Sequence, residues 1–340
     1  MLPIELPGKL PEFLARFGTD EACRDYLFGL RWPQGFCCDC GNSQCYLLST
    51  RTHVYECSQC KSQHSLLAGT IFEQTKTGLS KWFLAIYLFA GSKGGISALE
   101  LKRHLGFGSD QTAWTWLHKI RRAMSVRGAP LAGPVEVDET FLGGPKPGKR
   151  GRGAEGKTLV AGAVETRTYE LEAPDPAPLK GIARRLAERV AERLSKAGST
   201  SRFCLGRVRF GMIEGASAKA LEEFIKKAIE PTASITTDGW KAYLGLGKKG
   251  YAHERIIVSK VEGQAHEYLP ASHLVFTLLK RVLVGTYHGG IAPRHTPAYL
   301  DEVIFRFNRR SLKPAHLAQR VIERAMETQP IRNRTILGHA

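Results

Sequence analysis

An acidic residue near the end of a predicted β-strand is the first feature of this sequence that could do chemistry. The segment Pro134–Gly144 reads Pro-Val-Glu-Val-Asp-Glu-Thr-Phe-Leu-Gly-Gly. A period of two residues places Val135 and Val137 on one face of a strand and Glu136 and Asp138 on the other. The two glycines end the strand. The pattern therefore predicts a strand that delivers Asp138 to its end, with Glu136 as the main rival for its role.

A second acid and a histidine follow at spacings that suggest a shared site. Ninety-nine residues separate Asp138 from Asp238, which ends a second predicted strand, and 34 more precede His273 at the start of a predicted helix. Transfer at a phosphodiester requires metal ions that activate the attacking oxygen, stabilise the leaving oxygen and neutralise the charge between them. The three residues therefore predict a metal-dependent phosphoryl-transfer site that holds Mg²⁺ or Mn²⁺. Taken singly, each acid is more often a solvated carboxylate at a strand end or a turn, and it is the spacing and the neighbouring residues that favour a shared site.

A histidine in the third position changes the metal preference that we expect. A neutral imidazole leaves the site less negative than a third carboxylate, which predicts weaker Mg²⁺ binding and more tolerance of Mn²⁺. Lys280 follows His273 by seven positions, about two helical turns, and therefore shares a helix face with it. Lys280 is placed to hold a phosphate beside the metals. A lone histidine on a helix is more often structural, so a structural role is the alternative for His273.

Cysteine spacing predicts a structural zinc site near the N-terminus. Cys37 and Cys40 form one Cys-x-x-Cys knuckle, Cys57 and Cys60 form another, and sixteen residues lie between them. Four thiolates at this spacing close a tetrahedral zinc site and leave no coordination position for a substrate. A register that uses Cys38 is the lesser option, because Cys38 and Cys40 are only two positions apart. The other donors that could substitute are His53 and His64.

Composition points to a polyanionic partner. The chain has 340 residues, and 49 Lys plus Arg against 32 Asp plus Glu give a net charge of +17. This charge favours nucleic acid over acidic lipid or acidic protein. The longest apolar run, Trp82–Ala90, is too short to span a bilayer, and the N-terminus does not read as an export signal. We therefore expect a cytoplasmic chain of two or three domains with reduced cysteines.

A helical region follows the zinc knuckles. Helices are predicted at about Leu79–Ala90, Ser97–Leu105 and Gln111–Met124, with a glycine-bearing turn between the second and the third. Two helices across such a turn resemble a DNA-reading helix-turn-helix, although a plain helical bundle explains the pattern equally well. The basic residues predicted to contact phosphate here are Lys119, Arg121 and Arg122.

A Pro/Gly-rich basic loop and a basic insert are two further candidates for DNA contact. The loop at 145–153 carries Lys146, Lys149, Arg150 and Arg152, whose charges suit a phosphate backbone, unless the loop is only a solvated connector. The insert near 167–201 contains a predicted basic helix at about 179–196. That helix could lie on DNA or on a second protomer, and as a solvated charged helix it needs neither.

The remaining elements predict an α/β catalytic domain. Strands at about Thr158–Glu165, Arg207–Ile213 and Ser234–Thr237, with a helix at about Ala216–Ile229 before the last of them, join the strand of Asp138. Strand, strand, strand, helix, strand is the order of a mixed sheet with flanking helices, as in an RNase H-like core. We expect four regions: N-terminal helices and zinc ribbon (1–75), a helical DNA-binding region (76–130), the catalytic domain (131–312) and a C-terminal tail (313–340).

Many short motifs along the chain resemble those of bacterial insertion-sequence transposases of the ISXO-like group, which have a zinc ribbon and a DDE-type catalytic domain. The motifs are Arg31–Phe36, both knuckles, Ala68–Ile71, Val137–Thr140, Thr237–Trp240, Leu269-Pro270, Leu278–Arg281, Gly285–His288, Tyr299–Glu302 and Phe305–Arg310. The resemblance implies an RNase H-like core with metal ligands at Asp138, Asp238 and His273, followed by Lys280. The sequence departs from the group in its longer insert near 167–201 and in Val282, where Trp is common.

The resemblance also implies an activity and its partners. A protein of this group binds the terminal inverted repeats of its element as a homo-oligomer, at least a dimer, on double-stranded DNA. It then cleaves strands and joins the freed 3′-OH to target DNA, and Arg281 is expected to contact that DNA. Two alternatives remain at this point: an inactive or domesticated zinc-ribbon DNA-binding protein, and an RNase H-like nuclease that hydrolyses without joining.

Overall fold

The computed structural model describes residues 5–125, 128–143, 157–170, 177–178, 180–182, 184–185, 188–189, 192, 201–257, 268–288 and 290–338. The chain forms two compact units, one of Met1–Arg127 with Leu279–Ala340 and the other of Gly128–Leu278. In the described residues, no helix combines the length and the apolar character needed to cross a membrane.

The first unit contains two N-terminal helices, a small sheet and three further helices before the second unit begins. Their bounds are α1 (Leu10–Phe17), α2 (Asp20–Arg31), β1 (Cys45–Leu47), β2 (Val54–Cys57), β3 (Gln63–Ser65), α3 (Leu79–Gly91), α4 (Ala98–Leu105) and α5 (Asp110–Ala123). Thr19, Ser97 and Ser109 cap α2, α4 and α5 by accepting hydrogen bonds from backbone N–H groups of the first turn. Gly106 ends α4 in the left-handed conformation, with φ of 63°.

The C-terminal helices belong to the core of this same unit. They are α8 (Thr296–Phe307), α9 (Pro314–Glu327) and α10 (Asn333–Leu337). In α9, Ala318, Val321 and Ile322 are completely buried, and the helix packs on α3 and α5. The region predicted as a C-terminal tail is therefore structured at residues 313–338, because the apolar stripe of α9 completes the hydrophobic core around α3.

The second unit is a mixed five-stranded sheet with flanking helices. Its strands are β4 (Pro134–Leu142), β5 (Thr158–Glu170), β6 (Ser201–Ile213), β7 (Ser234–Asp238) and β8 (Ala252–Ile256), in the order β6-β5-β4-β7-β8. Strands β6, β5 and β4 are antiparallel neighbours, whereas β7 runs parallel to both β4 and β8. This is the α/β mixed sheet that the sequence predicts.

Two helices flank the sheet, one on each face. Helix α6 (Ala218–Ala228) shares a buried core with Val135, Val137 and Ile235. Helix α7 (Pro270–Gly285) carries His273 and Lys280. Strands β5 and β6 pair as far as Glu170 and Ser201, beyond the predicted ends at 165 and 207. Within the insert, the described residues between 181 and 192 are helical.

Candidate active site and zinc site

Parallel pairing of β4 with β7 places Asp138 and Asp238 side by side. Val137 is in register with Thr237, and each aspartate is the next residue of its strand. Neighbouring strands lie about 4.8 Å apart, and residues in register point to the same face of a sheet. Val137 and Thr237 are both fully buried, so the two aspartates occupy the opposite face from that buried pair. Two acids 100 positions apart in the sequence thus become neighbours.

Local hydrogen bonds orient both carboxylates. Asp138 Oδ1 accepts the N–H of Glu139 at 2.8 Å, and Asp238 Oδ1 accepts the N–H of Trp240 at 3.0 Å. The second bond is an Asx turn, which explains the role of the Asp-Gly-Trp sequence. On the other face of β4, Glu139 accepts a 2.6 Å bond from the hydroxyl of Tyr243. Burial raises the pKa of Tyr243 well above its usual value, and the nearby carboxylates add to the shift.

Glu136, the predicted rival of Asp138, is committed to another contact. Only 6% of Glu136 is exposed, and its carboxylate accepts the N–H of Ser272 at 2.8 Å in the first turn of α7. Burial raises the pKa of Glu136, and the hydrogen bonds from the helix partly oppose that shift. This contact brings the turn of α7 that carries His273 onto the face of β4 that carries Asp138.

The other predicted catalytic residues lie on α7. His273 is half-buried, whereas Lys280 and Arg281 are exposed. Across the described residues, the one group of three or more His, Cys, Asp or Glu whose ligand atoms lie close enough for a metal ion is a cysteine group. Asp138, Asp238 and His273 do not form a second such group.

The cysteine group lies in the small sheet of the first unit. The sulfur atoms of Cys38, Cys40, Cys57 and Cys60 all lie within 4.8 Å of one another. Hydrogen bonds from the Asn42 side chain and the backbone N–H of Cys60 lower the pKa of the Cys57 thiol to about 6. A thiolate is the form that binds a metal. Four sulfurs at these distances fit a structural zinc ion, and they are the donors that zinc prefers.

The structure differs from the predicted zinc ligands at one position, where Cys38 replaces Cys37. Cys38 is 3% exposed, and its sulfur lies 3.4 Å from that of Cys60. Cys37 is exposed and outside the cluster. The reason is a tight turn in which the N–H of Cys38 donates to Asn42 O at 2.9 Å and the N–H of Gly41 donates to Cys38 O at 2.8 Å. This turn directs Cys38 inward, which the two-residue spacing to Cys40 does not suggest.

A matched pair of serine variants tests the cysteine register. Cys38→Ser is expected to lose zinc and to lower the melting temperature, because it removes one of four ligands from a sheet too small to fold alone. Cys37→Ser should retain about one zinc per chain. Metal analysis of the purified proteins measures both. Zinc loss in Cys37→Ser with retention in Cys38→Ser would restore the register that the Cys-x-x-Cys spacing predicts.

Comparison with known proteins identifies the family. The model of the ISXO2-like transposase domain matches residues 130–308. The chain belongs to the ISXO2-like transposase family. A transposase zinc-ribbon domain matches residues 18–63 of this transposase chain. A relative from Halobacterium salinarum (strain ATCC 700922 / JCM 11081 / NRC-1) is named an uncharacterized protein in transposable element ISH50. It is 23% identical over 291 residues, which cover 84% of this chain and 89% of the relative. No solved structure matches.

The residues of this transposase that are predicted to contact DNA differ in their exposure to solvent. Arg122 is exposed, Lys119 is half-buried, and burial lowers the pKa of Lys119. Arg121 is 1% exposed, so the prediction that it contacts DNA is wrong. The basic-loop residues Lys146, Lys149, Arg150 and Arg152 lie outside the described residues.

Arg121 instead belongs to a buried charge network that joins α5 to α8. Its Nε donates to Glu302 Oε2 at 2.8 Å, and Arg306 Nε donates to Glu302 Oε1 at 2.9 Å. The hydroxyl of Tyr287 also donates to Glu302, and the Arg121 guanidinium lies 4.0 Å from the ring centre of Tyr299. The family motifs that contain Tyr287, Glu302 and Arg306 thus stabilise the core of this transposase. The positive charge of Arg121 had suggested a DNA contact instead.

Helix α5 is accordingly the centre of a helical bundle. It packs against α4, α8, α9 and α10, and two of its polar residues, Thr115 and His118, are buried. Burial lowers the pKa of His118 to about 3, with Arg121 and His295 contributing. The exposed part of α5 in this transposase is limited to its N-terminal residues and to positions such as Arg122. The bundle alternative therefore describes this region better than a helix that presents one whole face to DNA.

Proposed function

We propose that this chain is a DDE-type DNA transposase that binds the terminal inverted repeats of an insertion sequence and catalyses metal-dependent strand cleavage and strand transfer. The observation that carries the proposal is the parallel register of β4 with β7, in which Val137 pairs with Thr237 and Asp138 and Asp238 follow side by side. The first turn of α7, with His273, lies on the same face of β4. In a chain of the ISXO2-like transposase family, this is the arrangement that phosphoryl transfer requires.

The strand order supports an RNase H-like core. Three antiparallel strands, followed by two parallel strands added beside the first of them, are what such a core requires. This order places the first strand at the centre of the sheet, next to the fourth. Asp238 is the last residue of β7, whereas Asp138 lies in the middle of β4 and not at the strand end that the sequence predicts. The two acids are neighbours without any long loop to position them.

The donor set fits a divalent metal. Asp138 and Asp238 supply carboxylate oxygens, and His273 supplies an imidazole nitrogen, a combination that accepts Mg²⁺ and suits Mn²⁺ better. When bound, the metal supplies activation of the attacking oxygen and neutralises charge on the phosphate. Asp138 and Asp238 hold the ligand geometry through their bonds to backbone N–H groups. Lys280 and Arg281, which are exposed on α7, bind phosphate groups of the DNA.

The partner is double-stranded DNA, both element ends and target. The net charge of +17 supports backbone binding, and the zinc ribbon and Arg122 contribute to end binding. A homo-oligomer, at least a dimer, acts on the two element ends together. The zinc ion is structural and takes no part in the chemistry.

A strand-transfer assay tests the proposal. The full-length protein, loaded with zinc, is incubated with DNA that carries the terminal repeats flanking its gene and with a target plasmid, in Mg²⁺ or Mn²⁺. We expect nicks at the element ends and joined products that contain both DNAs. Nicking without joined products would indicate a nuclease, and end binding without nicking would indicate a DNA-binding protein that does no chemistry.

His273 provides a second, sharper prediction about the metal. Cleavage by the wild type is expected to be faster in Mn²⁺ than in Mg²⁺, because imidazole is a poor Mg²⁺ ligand. His273→Glu should raise the ratio of Mg²⁺- to Mn²⁺-supported cleavage, and His273→Ala should lower cleavage in both metals by about 10-fold or more. Initial rates across a titration of each metal measure the effect. An unchanged metal ratio in His273→Glu would remove His273 from the ligand set.

A further inference from the structure

Glu136 holds the start of α7 from a neighbouring strand. Its carboxylate accepts a hydrogen bond from the backbone N–H of Ser272 at 2.8 Å. The first N–H groups of a helix have no partner within the helix, and a negative charge there is favourable in the field of the helix dipole. Glu136 therefore caps α7 from β4, two residues before Asp138.

A second contact on the same face of the sheet fixes α7 further along. Gly162 of β5 is the register partner of Asp138. A Cβ atom at Gly162 would lie 2.6 Å from the ring of Phe276, which is 5% exposed. The same ring lies 6.0 Å from that of Phe210, the partner of Gly162 on β6. The missing side chain thus lets α7 approach the sheet directly beside Asp138.

His273 lies between these two contacts. It follows Ser272 by one residue and precedes Phe276 by three, so the helix segment that carries it is fixed at both ends. We infer that Glu136 and Gly162 are positioning residues that set the location of His273 relative to Asp138 and thereby tune the divalent-metal site. This inference depends on the proposed function. Neither residue is required to touch the metal or the DNA.

A small displacement of α7 is enough to weaken metal binding. Divalent metals of this class bind at about 2.0–2.2 Å, and Mg²⁺ demands near-ideal octahedral geometry. A methyl group at position 162 requires the Phe276 ring to move, because real Cβ contacts under 3.0 Å are essentially never seen. Loss of the Glu136 carboxylate releases the first turn of α7. Both changes should therefore weaken metal binding while leaving the DNA-binding surfaces intact.

Stability alone does not separate positioning from simple packing, so a matched control is needed. Gly211 of β6 offers one, because a Cβ there would lie 2.9 Å from Phe224 of α6. Gly211→Ala therefore places a similar steric strain in the same sheet, against the helix on the other face. It disturbs no residue of α7 and none of the proposed ligands.

The experiment compares Glu136→Ala, Glu136→Gln, Gly162→Ala and Gly211→Ala in the full-length, zinc-loaded protein. Electron paramagnetic resonance measures Mn²⁺ binding, and cleavage assays give the Mn²⁺ concentration for half-maximal rate. Glu136→Ala and Gly162→Ala are expected to need about 10-fold more Mn²⁺. Glu136→Gln should be intermediate, since its carboxamide oxygen still accepts a hydrogen bond. Gly211→Ala should bind Mn²⁺ like the wild type at a comparably lowered melting temperature.

Two results would overturn the inference. One is an equal shift of Mn²⁺ binding in Gly162→Ala and Gly211→Ala, which would assign both effects to general loss of stability. The other is wild-type Mn²⁺ binding in Glu136→Ala although hydrogen exchange at Ala271 and Ser272 becomes faster. If the wild type binds Mn²⁺ with the expected variant pattern but cleaves no DNA, the proposed function fails and the positioning role stands. If cleavage depends on Asp138 and no variant shifts Mn²⁺ binding, only the positioning role fails.

Discussion

Asp138→Asn is expected to lower the rate of strand cleavage and of strand transfer by about 10³-fold, equivalent to ~4 kcal/mol of transition-state stabilisation. The carboxylate lies beside Asp238 in register on neighbouring parallel strands, and asparagine removes its charge without changing its shape. Asp238→Asn should show a loss of the same order. Because the proposed metal site uses both residues, the double variant should lose little more than either single variant.

Binding to element ends separates this effect from unfolding. The Asp138→Asn protein should bind terminal-repeat DNA with affinity close to that of the wild type, since removing a negative charge does not weaken contact with phosphate. Glu139→Gln is the neighbouring control, because Glu139 lies on the opposite face and bonds to Tyr243. It should reduce cleavage less than 10-fold by this reasoning. Cleavage retained in Asp138→Asn would refute the assignment of the catalytic site.

The second large effect concerns stability and distinguishes two adjacent arginines. Arg121→Met should lower the free energy of unfolding of the first unit by about 3–5 kcal/mol, because it leaves Glu302 with one fewer cation in a fully buried site. Arg122→Ala, one residue further on and exposed, should change stability by about 0.5 kcal/mol or less. It should instead weaken DNA binding and reduce its salt dependence.

Urea denaturation, monitored by tryptophan fluorescence, measures the effect of Arg121→Met on the stability of the first unit. Trp32, Trp82, Trp114 and Trp116 all belong to the first unit, and Trp82 stacks on Trp116 with ring centres 3.6 Å apart. Arg121→Met/Glu302→Leu should be less destabilised than the sum of the single variants, because the double change leaves no carboxylate buried beside the missing cation. A stability loss in Arg122→Ala equal to that in Arg121→Met would contradict the buried network.

The same network predicts that the stability of the first unit depends on pH, and the pKa of Glu302 determines the direction of that dependence. Burial alone would raise the pKa of this carboxyl, but Arg121 and Arg306 hold it below its usual value. The charged form is therefore favoured in the folded protein, and its stabilisation is complete above the unfolded pKa of about 4.3. It is lost as the pH falls through the lower folded-state pKa. The stability difference between wild type and Glu302→Gln should thus be largest near neutral pH and shrink in acid.

Local pattern in the sequence was sufficient for several features. The alternation of Val135 and Val137 with Glu136 and Asp138 predicted the strand and its two faces, because side-chain direction in a strand depends only on position parity. Helical periodicity predicted the bounds of α3, α4 and α5 to within about one residue. The cysteine spacing predicted a four-thiolate zinc site, and the family motifs predicted the family. These signals are local, or rest on short motifs whose meaning does not depend on distant contacts.

Contacts between residues that are distant in sequence could not be predicted from local pattern. Register between β4 and β7 made Asp138 and Asp238 adjacent. The turn at Gly41 selected Cys38 over Cys37. Packing of α8 against α5 buried Arg121 with Glu302, 181 positions away, although its sequence context was that of an exposed basic helix. Residue type and spacing indicate the chemistry that a side chain can perform. Its burial and its interaction partners depend on which helices and strands contact each other, and those contacts are determined by the packing of the whole core.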